Sequence, residues 1–125
     1  TRLSRGLGDV YKRQLLAELL YRVGDLSGAR ERYYMAIELN EGYVEARANL
    51  GCVLVELGDL ELALAAFRGA LRYHPDYPDV HFHIARTLDR LGEDHEAEQH
   101  WKTFLRLAPE SPWADEARQR LSSKS

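Results

Sequence analysis

The sequence predicts an all-α protein, three helix–turn–helix units in series closed by a seventh helix. Two observations predict it. A glycine-acid turn recurs as Gly24-Asp25-Leu26, Gly58-Asp59-Leu60 and Gly92-Glu93-Asp94, at 58−24 and 92−58, that is, every 34 residues. Between the turns, apolar residues recur at three- and four-residue steps, the spacing of one helix face. The length of 125 residues is that of one domain, and 45% hydrophobic against 30% charged residues is enough apolar matter for a core.

The same 34-residue shift carries Leu16 onto Leu50 and Ile84, Ala17 onto Gly51 and Ala85, and Leu20 onto Leu54 and Leu88. It carries Ala29 onto Ala63 and Ala97, and Tyr33 onto Phe67 and Trp101. In the first helix of the second unit, Leu50, Leu54 and Leu57 form the stripe; in its second helix, Ala63, Phe67, Ala70 and Leu71 form it. The small residues Gly51, Ala63 and Ala70 let helix axes approach, with Phe67 filling the space between. Each turn glycine suits the left-handed residue that ends a helix, and the acid after it suits a helix start. Pro75 and Pro109 close second helices, and Pro78 and Pro112 suit the first position of the helices that follow. After Ser111, Trp113, Ala117 and Leu121 lie four apart on one stripe. Asp115 and Glu116 stand near its positive end, and Arg118 and Arg120 near its negative end. This seventh helix, 112–121, is expected to cover the open apolar side of the last unit, with Phe104 large because it meets that cap. Trp113 reads as a cap residue rather than an exposed anchor, and residues 122–125 as a frayed tail.

These residues resemble the tetratricopeptide repeat (TPR), a family of 34-residue helix–turn–helix units. The resemblance covers residues 10–43, 44–77 and 78–111, and the second is the best match, with Leu50-Gly51, Leu54, Gly58, Ala63, Phe67, Ala70 and Pro75 in register. It implies a right-handed α-solenoid. Arg13, Arg47 and His81 stand where the family often has tryptophan, Glu41 where proline would close the first repeat, and Phe104 where a small residue is usual. Gly28 inside a helix costs about 1 kcal/mol relative to alanine.

Residues 3–14, LSRGLGDVYKRQ, resemble translated sequencing-adapter read-through at the edge of an environmental-DNA fragment. Residues 1–9 are therefore expected to be a non-native or disordered arm, and the chain a piece of a longer protein. Dropping residues 1–14 removes Arg2, Arg5, Lys12, Arg13 and Asp9, which turns 17 basic against 20 acidic residues (−3) into 13 against 19 (−6). Either balance argues against nucleic acid as a partner. No run of 18 apolar residues suggests a spanning helix, and the single cysteine allows no internal disulfide. The expectation is a soluble, cytoplasmic chain with no membrane partner and no cofactor.

Candidate chemistry is sparse. His95-Glu96-Ala97-Glu98-Gln99-His100 is one residue too long for the zinc-protease H-E-x-x-H, and leaves the two imidazoles about 140° apart around a helix. His81 and His83 are two apart and face different ways; with Asp79 they do not make a zinc site. Cys52 lies mid-helix without a histidine nearby in sequence. Gly6-Leu7-Gly8 lacks the spacing and lysine of a phosphate loop, and no serine nucleophile motif occurs. The chain is not expected to be an enzyme or to hold a metal. Tyr33, Phe67 and Trp101 read as core, and Tyr34, Tyr43, Tyr73 and Tyr77 as seals at repeat junctions.

What remains is binding. The resemblance implies a concave groove lined by the first helix of each repeat. Its residues map onto Glu18, Tyr21 and Arg22; onto Glu45, Ala48, Asn49, Cys52, Val55 and Glu56; and onto Asp79, Phe82, His83, Arg86, Asp89 and Arg90. A protein–protein interaction module would hold a peptide or helix there, its backbone on Asn49 and its apolar side chains on Phe82 and Val55. Some family members clamp the C-terminal carboxylate of chaperones with two lysines, two asparagines and an arginine. The corresponding residues here are Gln14, Glu18, Asn49, Asp79 and His83. Only Asn49 matches, and Glu18 and Asp79 would repel a carboxylate, so that clamp is not expected. The alternative is a regulatory or spacing segment, since Trp101-Lys102 through Pro112-Trp113-Ala114 is similar to the ends of bacterial repeat modules attached to transcription regulators and enzymes.

Overall fold

A computed structural model describes the backbone of residues 2–124 and the side chains from Gly8 onward. Among the described residues there are seven α-helices and no strand: α1 Arg2–Arg22, α2 Leu26–Leu39, α3 Val44–Glu56, α4 Leu60–Tyr73, α5 Pro78–Arg90, α6 Asp94–Leu107 and α7 Ala114–Ser123. They form two compact units, α1–α4 up to Tyr73 and α5–α7 from His74.

The three turns inside the repeats are built alike. Gly24, Gly58 and Gly92 have φ of 87°, 87° and 79°, and no other described residue has positive φ. Only glycine enters that region without a Cβ penalty. In each turn the acid's backbone N–H reaches back five residues: Asp25 to the Leu20 carbonyl, Asp59 to Leu54 and Glu93 to Leu88, each at 2.9 Å. That bond satisfies a carbonyl the helix end leaves open. Asp25 then caps α2, its carboxylate accepting the Gly28 N–H at 2.9 Å. Asn40 and Glu41 end the first repeat without a proline. Asn40 Oδ1 accepts the Gly42 N–H, and Arg47 Nε donates to the Glu41 carbonyl at 2.7 Å while its guanidinium lies over the Tyr73 ring. Two departures from the family pattern, Glu41 and Arg47, therefore meet.

The unit of α1–α4 buries Ala17, Ala29, Tyr33, Ala46, Leu50, Val53, Leu54, Ala63, Phe67 and Ala70. Its tightest point is Gly51, where the Phe67 ring lies against the backbone of α3 and fills the space a Cβ would need. The unit of α5–α7 buries Val80, Phe82, Ile84, Ala85, Leu88, Ala97, Trp101, Phe104, Ala114 and Ala117. Phe82 is its hub, 5.2 Å from Phe104 and 5.3 Å edge-on from Trp101, centroid to centroid.

The ends depart from expectation. The backbone is helical from Arg2, within the stretch 1–9 expected to be a non-native or disordered arm; extending an existing helix is far easier than nucleating one. Pro112 lies in a turn before α7 and not in its first position. Ser111 Oγ accepts the Trp113 N–H at 3.1 Å and the Ser111 carbonyl accepts that of Ala114 at 3.0 Å, which delays the helix to Ala114. Ser122 and Ser123 are helical and Lys124 is ion-paired, so the tail is ordered through Lys124; Ser125 lies outside the described residues.

Gly51→Ala is expected to lower stability by about 1–3 kcal/mol through overpacking, seen as a lower urea midpoint. An unchanged midpoint would show that Phe67 moves aside freely.

Candidate interaction surface

In the first unit, Glu18, Tyr21 and Arg22 come from α1 and Glu45, Asn49, Cys52, Val55 and Glu56 from α3, at three- and four-residue steps that keep each set on one helix face. None of them is buried. Ala48, between them, is buried and does not line the surface. The Tyr21 phenol donates to the Glu56 carboxylate, and burial together with that carboxylate pushes its pKa up to about 12. Tyr33, at 2% exposure, is raised by burial and then by the field of Glu18, with Cys52, Tyr21 and Glu45 adding to it. Tyr43 is raised by burial and by Glu45 and Glu18. Beneath them Gln14 Nε2 donates to Glu18 Oε1 at 2.9 Å. The structure thus brings Glu18, Tyr21, Glu45, Cys52 and Glu56 together as an acidic surface lined by phenols, with Asn49 and Val55 half-buried and Arg22 exposed on the same faces.

The second unit treats its six residues differently. Asp79 and Arg90 are exposed. Phe82 is 2% exposed and cannot serve as an open platform for a ligand. Trp113 stacks on it, centroids 4.6 Å apart and planes 27° from parallel, and also meets the His83 ring at 5.5 Å. Trp113 is a cap residue, yet it remains 38% exposed. Arg86 pairs with Glu116 at 3.4 Å and lies over Phe82. Asp89 accepts the Trp101 indole N–H at 2.9 Å and Lys124 Nζ at 2.6 Å, with Arg120 at 3.9 Å. The hydrogen bond to Asp89 holds the Lys124 ammonium above its usual pKa. His83 is half-buried; burial, and then the charge of Arg86, lowers its pKa to about 4.

Sequence reasoning missed one polar pair. His81 Nδ1 lies 3.0 Å from His100 Nδ1, and His81 Nε2 lies 2.8 Å from the Pro75 carbonyl. That carbonyl can only accept, so His81 Nε2 carries a proton, and the two Nδ1 atoms share one more between the rings. The signal was in the repeat. One period back, His81 and His100 fall on Arg47 and Ala66, which line one cavity with Tyr34, Ile37 and Leu50. His95 stays apart and exposed. Among the described residues no group of three His, Cys, Asp or Glu side chains could hold a metal ion, and no helix is long and apolar enough to cross a membrane.

Comparison with known proteins adds the family. A model described as Tetratricopeptide repeat matches residues 49–112, just over half of the chain. A TPR repeat-containing thioredoxin, TTL4, of Arabidopsis thaliana is 29% identical over 100 residues, which are 80% of this chain and 15% of that protein. Among solved structures, the TPR domain of Arabidopsis OM64 has a TM-score of 0.90 at 18% identity, covering 96% of this chain and 99% of that one. The second TPR domain of human RPAP3, in complex with an HSP70 peptide, has 0.85 at 19%, covering 94% and 96%. The Yersinia enterocolitica type III secretion chaperone SycD, in complex with a peptide of the translocator YopD, has 0.80 at 24%, covering 90% and 86%. At these identities the likeness is one of fold.

The lowered pKa of His83 makes stability depend on pH with a definite sign. The unfolded chain takes the proton near pH 6.5 and the folded chain only near 4, so the His83 contribution is complete above pH 6.5 and is lost as pH falls toward about 4. The loss amounts to up to about 3 kcal/mol. Urea unfolding across that window is expected to show a shallower acid loss for His83→Gln, and parallel curves would refute the burial cost.

Proposed function

Since the chain belongs to the tetratricopeptide-repeat family, we propose that it is a protein–protein interaction module that holds a peptide or helix on the inner faces of its first helices. The observation that carries this reading is the α1–α3 face: a polar, phenol-lined set of residues left open beside the buried Ala17, Leu50, Val53 and Leu54 of the same helices. Side chains of that kind give an extended chain hydrogen bonds and contact area at low ordering cost. The peptide complexes of RPAP3 and SycD support the same use of the fold.

Charge sets the kind of segment. Glu18, Glu45 and Glu56 on α1 and α3 favour a basic stretch on the first unit, and Arg90 on α5 favours an acidic one on the second. A carboxylate clamp for chaperone tails does not fit, because of its five positions only Asn49 matches, and Glu18 and Asp79 would repel a carboxylate. Nothing in the net charge of −3 favours nucleic acid. The thioredoxin relative, of which the matching stretch is 15%, supports a second reading, in which the unit spaces or regulates other domains of a longer protein.

Peptides selected from a displayed random library on the whole chain provide the test. Glu45→Lys and Arg90→Glu are expected to weaken the selected peptides about tenfold or more, while Glu31→Lys and Glu61→Lys, exposed on α2 and α4, leave calorimetric affinities unchanged. Equal losses from both sets would overturn the inner-face assignment.

A further inference from the structure

Four of the six residues that the repeat register assigns to the inner face of α5 are occupied by the chain itself. Trp113 covers Phe82 and His83, Glu116 pairs with Arg86, and Arg120 and Lys124 reach Asp89. The partners advance together along both helices, so α7 runs parallel to α5. Trp113, Glu116, Arg120 and Lys124 follow one another at steps of three, four and four, a single helical face. The opposite side of α7, with Arg118 and Gln119, is exposed.

Ala114 and Ala117 of α7 are buried, as the shielding of the unit's apolar end requires. The aromatic, acidic and basic contacts with α5 go beyond that. They also show what α5 accepts, because each group on α5 meets its chemical complement on α7. Asp89 does not depend on α7 alone, since the Trp101 indole N–H holds its second oxygen.

We propose that α7 is the resident occupant of a helix-docking face on α5, and that a partner helix carrying the same pattern binds there by displacing it. The pattern is an aromatic residue, an acid three residues on, and bases seven and eleven residues on. The inference rests on the interaction-module reading and names its partner on this unit. The connection favours exchange. Residues 108–113 form a turn with Pro109 and Pro112, and the Arg86–Glu116 pair is open to water and to salt.

A labelled peptide of residues 111–124, SPWADEARQRLSSK, is the probe, titrated by fluorescence anisotropy against the full chain and against full-length variants with a loosened α7. Trp113→Ala and Lys124→Glu are expected to bind it at least tenfold more tightly than the wild type, because the tethered copy no longer competes. Adding Arg86→Glu to the Lys124→Glu chain is expected to abolish that gain. Should Trp113→Ala melt the α5–α6 hairpin by circular dichroism, Lys124→Glu alone carries the comparison, since Lys124 pairs with Asp89 and Asp94 at the far end of α7. Equal affinity for loosened and wild-type chains, or no binding to the loosened chain, overturns the proposal. If that happens while library-selected peptides still respond to Glu45→Lys and Arg90→Glu, displacement falls and the interaction module stands.

Discussion

The contact on which the inner face depends is that of the Phe67 ring with the bare backbone of Gly51. A ring seated against one residue of a helix fixes both how near that helix lies and how it is rotated. At about 100° per residue, Asn49 then stands about 160° from Gly51 around α3, and Cys52 about 100° away. The open residues of α3 are open because Gly51 is not. The same columns hold Ala17 and Tyr33 in the first repeat and Ala85 and Trp101 in the third, all buried. A buried small residue in one column and a buried aromatic one in the other are therefore common to every repeat.

That constraint explains how much was legible. Columns of the 34-residue period carry size and turn character, and each maps onto a local backbone requirement: the φ of Gly24, Gly58 and Gly92, the five-residue hydrogen bond behind each, Pro78 at the start of α5. Such features need only neighbours in sequence. The candidate surface rests on more than that: Glu18, Tyr21, Cys52 and Glu56 are what the family resemblance implies, and all four are unburied.

What failed to read involved partners with no precedent in the period. Phe82 was assigned to the open face, although Gln14 and Ala48 in its column are buried, and the residue that covers it, Trp113, lies beyond the last repeat. Lys124 looked like polar tail because its partner, Asp89, is 35 residues away on another helix. His81 and His100 illustrate the middle case. Neither residue type marks the pair, yet their register equivalents Arg47 and Ala66 already share a cavity, so position carried information that composition did not.

The α5–α7 contact combines forces of different strength, and the balance decides whether α7 is a wall or a gate. The Trp113–Phe82 stack contributes about 0.5–1.5 kcal/mol beyond area burial. The Arg86–Glu116 pair, with side chains 53% and 38% exposed, contributes roughly 0–1 kcal/mol. Lys124 and Asp89 are far less exposed, at 13% and 10%, and breaking a pair so enclosed usually strands a charge. Here it does not, because the Trp101 N–H stays on Asp89 and the departure of α7 lets water reach the other oxygen. The cost of opening is then set by the apolar contacts of Trp113, Ala114 and Ala117. A cost of a few kcal/mol leaves an open form at about 0.1–10% of the molecules, enough for a competing helix to select.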